Sequence, residues 1–366
     1  MKLIYFDNAA TTPVFEEAKN IFLEDLFANP SSIHSAGVSA MMKVERAREI
    51  IAGAINANAE QVYFTATGTE ANNWVLKSLN SPKRSMVISR IEHPSIMETA
   101  KYLENNGFKI KYINVKADGC IDLEDAKDKI SSEDSLCSVM HVNNETGIVQ
   151  PIEELAKICR VKNVLFHVDA CQSFTKIPID FSGMNLDFLT INSSKINGPK
   201  GIGALIIKNH LTLNSFIHGG SQENGLRAGT LNLNAIQSFA KAVELSISLD
   251  VSKKLKGLRD NMIQKMSHNF HGFKINGDIN LLAPHILNIR FDNFFAKDIF
   301  WHLNKNKIYT SMSSACSANK FTPSYVLEAM GLSEAENYAS IRISFGYFNS
   351  DDEIDIFIDT LGKLIK

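Results

Sequence analysis

The chain has 366 residues, 45% of them hydrophobic and 21% charged, a composition ordinary for a globular protein and long enough for two domains. Its 38 basic and 40 acidic side chains leave a net charge of −2, which argues against a generic binder of nucleic acid or of an anionic membrane. No run of about 18 apolar residues offers a transmembrane helix, MKLIYFDNAATTP is broken too early for a signal peptide, and five scattered cysteines without a C-x-x-C pair argue against disulfide scaffolds and zinc sites and for a reducing cytoplasm. In chain order, QVYFTAT from Gln61 reads as a strand running into a helix that opens near Thr69. SMVIS is a strand followed by a helix from about Pro94 to Asn106. KIKYINV leads through a short helix into SLCSVMHVN, and a helix from Pro151 precedes the strand VLFHVDA. DFLTIN and GALIIK follow, joined by a Gly-rich loop that lets them pair antiparallel. Strands alternating with helices predict a mainly parallel, doubly wound sheet covered on both faces. Beyond about Leu231 the pattern changes to a long helical stretch reaching Phe270, broken near Asp250. HILNIRF and ASIRIS then read as isolated strands, and DDEIDIFIDTLGKLIK as a last helix with acids at its start and lysines at its end. This second part reads as a smaller α+β domain joined by the N-terminal strip.

In open α/β sheets ligands bind beyond the C-terminal ends of the strands, so polar residues that close the apolar runs are the candidates for chemistry. Lys195 follows DFLTIN. It could simply snorkel to water, or, partly desolvated, serve as an amine nucleophile towards an aldehyde such as pyridoxal phosphate (PLP). That cofactor also needs a carboxylate at its ring nitrogen and a cradle for its phosphate. Asp169, closing VLFHVDA, suits the first, although a turn or cap aspartate would look the same; His167, Asp169 and Cys171 also alternate on one strand face, a metal reading without a second ligand pair. Gly68 and Thr69 in TATGTEANN suit the second, with free backbone N–H groups at a helix start, or are only a cap. His93, before Pro94, stands where its ring could stack on an aromatic cofactor. Asn144 in MHVNNETG holds the matching place after the next strand, and Gln172 lies just beyond Asp169. Cys316 sits in TSMSSACSANKFT, which has neither helix nor strand periodicity and reads as a mobile loop; the other four cysteines sit in or beside core-like segments and are expected to pack as small hydrophobes.

Taken together, YFDNAATTP, NPSSIHSAG, FTATGTEANN, IEHPS, MHVNNETGIVQPIEEL, FHVDACQS, SKINGPKGIGAL, RAGT, SSACSA, PSYVLEAMG and SIRISFG span nearly the whole chain. The sequence resembles the cysteine desulfurases of the NifS/IscS type, class-V aminotransferases of PLP fold type I. The resemblance implies a large PLP-binding domain over 14–250, built on a mostly parallel seven-stranded sheet flanked by helices. It implies a small α+β domain formed by 1–13 and 251–366, carrying a catalytic-cysteine loop at about 310–322. It further implies that Lys195 binds PLP as a Schiff base, Asp169 pairs with the ring nitrogen, Gln172 meets the ring oxygen, and His93 stacks on the ring and shuttles protons. Gly68, Thr69, Asn192 and Ser194 would hold phosphate, with Thr230 reaching it from the other subunit of a homodimer. Asn144 and Arg342 would bind the carboxylate of L-cysteine, and Cys316 would take its sulfur as a persulfide, to be passed to an iron–sulfur scaffold or a thiolation protein. No metal, nucleic acid or membrane enters this scheme, and the expected location is the cytoplasm.

Three departures stand out. Asn192 and Ser194 replace the serine and histidine of the family pattern Ser-x-His-Lys, which predicts a looser phosphate site. Tyr347 replaces a common arginine, and the cysteine segment reads SMSSACSA rather than SSGSACTS. A selenocysteine lyase or a small-amino-acid aminotransferase of the same fold, and a catalytically silent scaffold, are the alternative readings.

Overall fold

The computed structural model describes residues 3–312 and 322–365. A short strand β1 (Ile4–Tyr5) is followed by helices α1 (Glu16–Phe22) and α2 (Ser35–Gly53). Then come β2 (Val62–Thr65), α3 (Gly68–Ser78), β3 (Ser85–Ser89), α4 (Pro94–Asn105), β4 (Lys109–Ile113), α5 (Leu123–Lys129), β5 (Leu136–Met140), α6 (Ile152–Lys162), β6 (Leu165–Asp169), β7 (Phe188–Asn192) and β8 (Gly203–Ile207). β2 to β8 form a seven-stranded sheet in the order β2-β8-β7-β6-β5-β3-β4. β8 runs antiparallel to both its neighbours, while β3–β4, β3–β5, β5–β6 and β6–β7 are parallel.

Apart from the edge strand β4, the strands are apolar nearly throughout because both sheet faces are covered. Successive side chains alternate between two cores. Met86, Ile88, Leu205 and Ile207 pack with Trp74, Val75, Ile96 and Ala100 of α3 and α4. Val87, Ala204, Ile206, Phe166 and Val168 pack with Val44 and Ile51 of α2 and with Ile236 and Phe239 of the helix that follows β8. The edge strand β2 carries the turn into α3, and its outer side is closed by charge. The Phe64 N–H donates to Glu223 Oε2 at 2.8 Å, and Arg48 of α2 holds that carboxylate through both terminal nitrogens.

The long helical stretch is α7 (Leu233–Ser248) and α8 (Val251–Asn269). Asp250 breaks it by taking a left-handed conformation, φ +43°, and its carboxylate accepts from the Lys253 N–H to start the second helix. Next are β9 (Phe273–Ile275), β10 (Ile286–Phe291), α9 (Ala296–Lys305), β11 (Ile308–Tyr309), β12 (Ser311–Met312), α10 (Tyr325–Ala329), α11 (Glu334–Tyr338), β13 (Ser340–Ser344) and α12 (Asp351–Ile365). HILNIRF and ASIRIS, read separately from sequence, are neighbours: β10 and β13 pair antiparallel inside a sheet ordered β12-β13-β10-β9. β9 and β12 escape a pattern reading because three and two residues are too few to show alternation. β12 also corrects the expectation for TSMSSACSANKFT, whose Ser311 and Met312 pair with Arg342 and Ile341. The N-terminal strip reaches the same region: β1 pairs with β11 and Asp7 bridges Ser344. Among the described residues no helix is long and apolar enough to cross a membrane.

Candidate cofactor and substrate site

Five strands of the large sheet that run the same way deliver a polar group beyond their C-terminal ends. β2 leads to Gly68 and Thr69, β3 to His93, β5 to Asn144, β6 ends on Asp169, and β7 leads through Asn192 to Lys195. These residues, with Gln172 and Arg342, line one cavity of about 320 Å³, within the size range of small-molecule sites. The residues that follow these five strands come together because strands running the same way put all their outgoing turns on one edge.

Within the cavity each group has a defined setting. Lys195 Nζ donates to the carbonyl oxygen of Ala9 at 2.9 Å and to that of Ala10, and burial lowers its pKa from the usual lysine value. Asp169 is buried, with Oδ1 accepting from the Cys171 N–H at 2.9 Å and Oδ2 from Asn72 Nδ2 at 2.7 Å. His93 is the N-cap of α4. Its Nδ1 accepts from the Ser95 N–H at 3.1 Å and meets the Ser95 hydroxyl at 2.9 Å, so its proton resides on Nε2. Burial lowers its pKa. Gln172 Nε2 donates to Ala9 O, while its Oε1 faces His285 Nε2 at 3.1 Å. Arg342 donates to Asn144 O at 2.8 Å and to Asp7 Oδ1 at 2.7 Å; its buried Nε has no partner among the described residues. A Cβ at Gly68 would come within 2.6 Å of Cys171 Sγ, so only glycine lets α3 start this close to β6.

A family model described as aminotransferase class-V matches residues 4–357. The chain belongs to the class-V aminotransferase family. Among class-V relatives, the cysteine desulfurase IscS of Clostridium botulinum is 38% identical over 377 residues, covering 100% of this chain and 95% of its own. A solved structure titled NifS-like protein superposes with a TM-score of 0.92 at 32% identity over 99% of both chains. A structure of SspA in complex with cysteine gives a TM-score of 0.85 at 34% identity, over 95% of this chain and 100% of that one.

Against the class-V pattern, some residues singled out from sequence do not reach the cavity. Ser194 is not on its wall; its hydroxyl donates to Asn192 Oδ1. Thr230 is exposed and also absent from the wall formed by its own chain. Cys316, with 313–321, lies outside the described residues. Tyr347 packs edge-on against Phe15 and Phe348 under Lys254, away from the cavity. His167 is turned into the sheet, its two ring nitrogens engaged by Ser138 at 2.8 Å and Thr190 at 3.0 Å, which separates it from Asp169 and Cys171. The expectation that all four remaining cysteines fill cores needs correction. Cys137 and Cys159 are buried, Cys120 is half-exposed, and Cys171 lines the cavity. Its thiol pKa is pushed well up by burial and by Asp169, so it stays protonated.

The class-V site also contains groups that sequence reasoning passed over. Asn72 ties the Asp169 and His93 sides together, donating to Asp169 and to the Ser95 hydroxyl at 2.9 Å. A signal existed: Asn72 follows Thr69 by three residues, the spacing of one helix face. His285, Ala9 and Ala10 carried no such signal, since each meets the site from far along the chain.

Proposed function

We propose that this chain is a PLP-dependent cysteine desulfurase, taking sulfur from L-cysteine and releasing L-alanine. One observation carries the reading: Lys195, Asp169 and the open N-terminus of α3 face a single cavity. Those are the amine, the acid and the phosphate cradle that the cofactor requires, and the glycine that keeps the cradle open fits it. When bound, PLP supplies an electron sink for the bonds around the substrate α-carbon. Lys195 would provide the amine that anchors the aldehyde and, once free, the base that moves the α-proton; a lowered pKa favours both tasks. Asp169, with each oxygen held by a donor, would face the ring nitrogen, and Gln172 the ring oxygen. His93 would cover the ring. Arg342 and Asn144 would hold the substrate carboxylate, a task for which a guanidinium fork is well shaped.

Cys316 is the proposed sulfur acceptor. Its thiolate attacks the substrate sulfur, and an S–S bond forms as the Cβ–S bond breaks. The carbon fragment takes up a proton and leaves as alanine, while Cys316 keeps the sulfur as a persulfide. An iron–sulfur scaffold or a thiolation protein would receive it, in the cytoplasm. We take 14–250 as the large domain and 1–13 with 251–366 as the small one. The working form would be a homodimer: Phe27, Ile33 and Met42 are 86%, 98% and 69% exposed, and Ile33 and Met42 border a cavity of about 880 Å³, an apolar surface that a second copy would cover.

The test supplies L-cysteine and a reductant and quantifies sulfide and alanine together. Equal amounts are expected. Alanine without sulfide, or a protein that takes up no PLP, would remove the desulfurase reading.

A further inference from the structure

Asn192 ends β7, Ser194 follows two residues later, and their side chains meet in one orientation only. Asn192 Oδ1 accepts from the Ser194 backbone N–H at 3.0 Å and from the Ser194 hydroxyl at 3.1 Å. A backbone N–H can only donate, so the end of the amide that meets it is the oxygen, and the alternative flip is closed. The other end is thereby aimed away from Ser194. Nδ2 lies 3.5 Å from where a Cβ would stand on Gly68, the first residue of α3, whose free N–H groups form an anion-binding end. Asn192 and Gly68 line the cavity and Ser194 does not.

We propose that Asn192 Nδ2 is a phosphate donor in this cavity and that Ser194 acts on the phosphate only through it, as a positioning residue that grips the amide oxygen. The inference rests on the reading that the cavity takes PLP. Two residues that depart from the family pattern work as a coupled pair, one aimed and one aiming. The pair is also neutral, so its grip does not change with pH as that of a titrating side chain would.

The experiment measures equilibrium binding of PLP, and of pyridoxal, which lacks the phosphate, to the full chain freed of cofactor. Asn192→Asp keeps the shape and both bonds from Ser194 but turns an oxygen towards the phosphate. It should weaken PLP by about tenfold or more, the scale of a charge-assisted hydrogen bond turned repulsive, and pyridoxal by less than about twofold. Ser194→Ala should weaken PLP by about two- to fivefold, the worth of one ordinary hydrogen bond. In an Asn192→Ala background the same change should cost nothing further. Equal losses for PLP and pyridoxal would overturn the proposal by making both residues merely structural. An undiminished cost of Ser194→Ala beside Asn192→Ala would overturn it by giving Ser194 a contact of its own. If the unaltered chain binds neither compound, the desulfurase reading falls as well; if it binds both and the variants do too, only the present inference falls.

Discussion

On the large-sheet wall of the cavity each polar group has a partner close by in the chain, and Asp169 is held by Asn72 of α3 as well. His93 is held by Ser95, Asp169 by the Cys171 N–H, and Asn192 by Ser194, each two residues away. On the other wall, Arg342 projects from the middle of β13 and is held by Asn144 and Asp7, 198 and 335 residues away. Lys195 reaches Ala9 across 186 residues. Two buried acids differ in a related way, the first held within the large sheet and the second from outside it. Glu92, beside His93, accepts from Ser89 and from the Met140 N–H, whereas Glu145, beside Asn144, accepts at 2.5 Å from Ser324, on the far side of the cysteine segment. The first wall is thus set by local turns together with contacts inside the large-sheet layer. The second exists only when the N-terminal strip and the small sheet are docked, so changes there should act on the docking as well as on the contact itself.

The largest effect should come from the amine between the walls: Lys195→Ala should lower sulfide and alanine production together by more than about 1,000-fold, judged by the usual worth of a base that also anchors a reactant. Equal and slight losses would mean that Lys195 is only a tether for the N-terminal strip. Next, Arg342→Lys keeps the charge but loses the fork. It should raise KM for L-cysteine by about 10- to 100-fold, with a smaller change in kcat. Asp7→Asn, which loosens Arg342 from a distance, should raise KM in the same direction by about three- to tenfold. If Asp7→Asn leaves KM untouched, the distant partners do not position that wall. Steady-state kinetics over a range of L-cysteine separates the three.

The buried acids give the smallest effects and the sharpest comparison. Burial raises Glu92 to about 8 and Glu145 to about 7 from an ordinary 4.5. Both are therefore protonated in the folded chain at a pH where the unfolded chain has ionised them. Their contribution is complete below about pH 4.5 and is lost as pH rises towards 8 for Glu92 and 7 for Glu145, each with a limiting slope of about 1.4 kcal/mol per pH unit. Glu92→Gln should flatten the fall in denaturant midpoint between pH 5 and 8, since Gln can accept the same two hydrogen bonds on one oxygen. Glu145→Gln should flatten it between pH 5 and 7 and also change protease cleavage beyond Ser324. Identical outcomes for the two variants would erase the distinction between a group held within the large sheet and one held from outside it.

Much of the large sheet is legible because most of its strands are apolar, and β2, β3, β6 and β7 close on a polar residue. Helix boundaries at Pro94 and Asp250 are equally plain, because proline starts a helix well and an aspartate in a left-handed turn caps one. The position of Cys171 was not legible. A cysteine ending an apolar strand looks like core, and only the approach of α3 at Gly68 turns it into a wall of the cavity. The pairing of β10 with β13 was hidden for a related reason, since about 50 residues separate them and periodicity says nothing about partners.

By itself, then, the order of amino acids determined the alternation of elements, the edge of the sheet on which chemistry is placed, and the residue types available there, because these follow from spacing along one strand or one helix turn. Which side chains face one another was decided only in three dimensions. Lys195 finds Ala9, Gln172 finds His285 and Arg342 finds Asp7 through contacts whose partners lie more than 100 residues apart. A hydrogen bond at such separation depends on the packing of whole sheets, which no local pattern encodes.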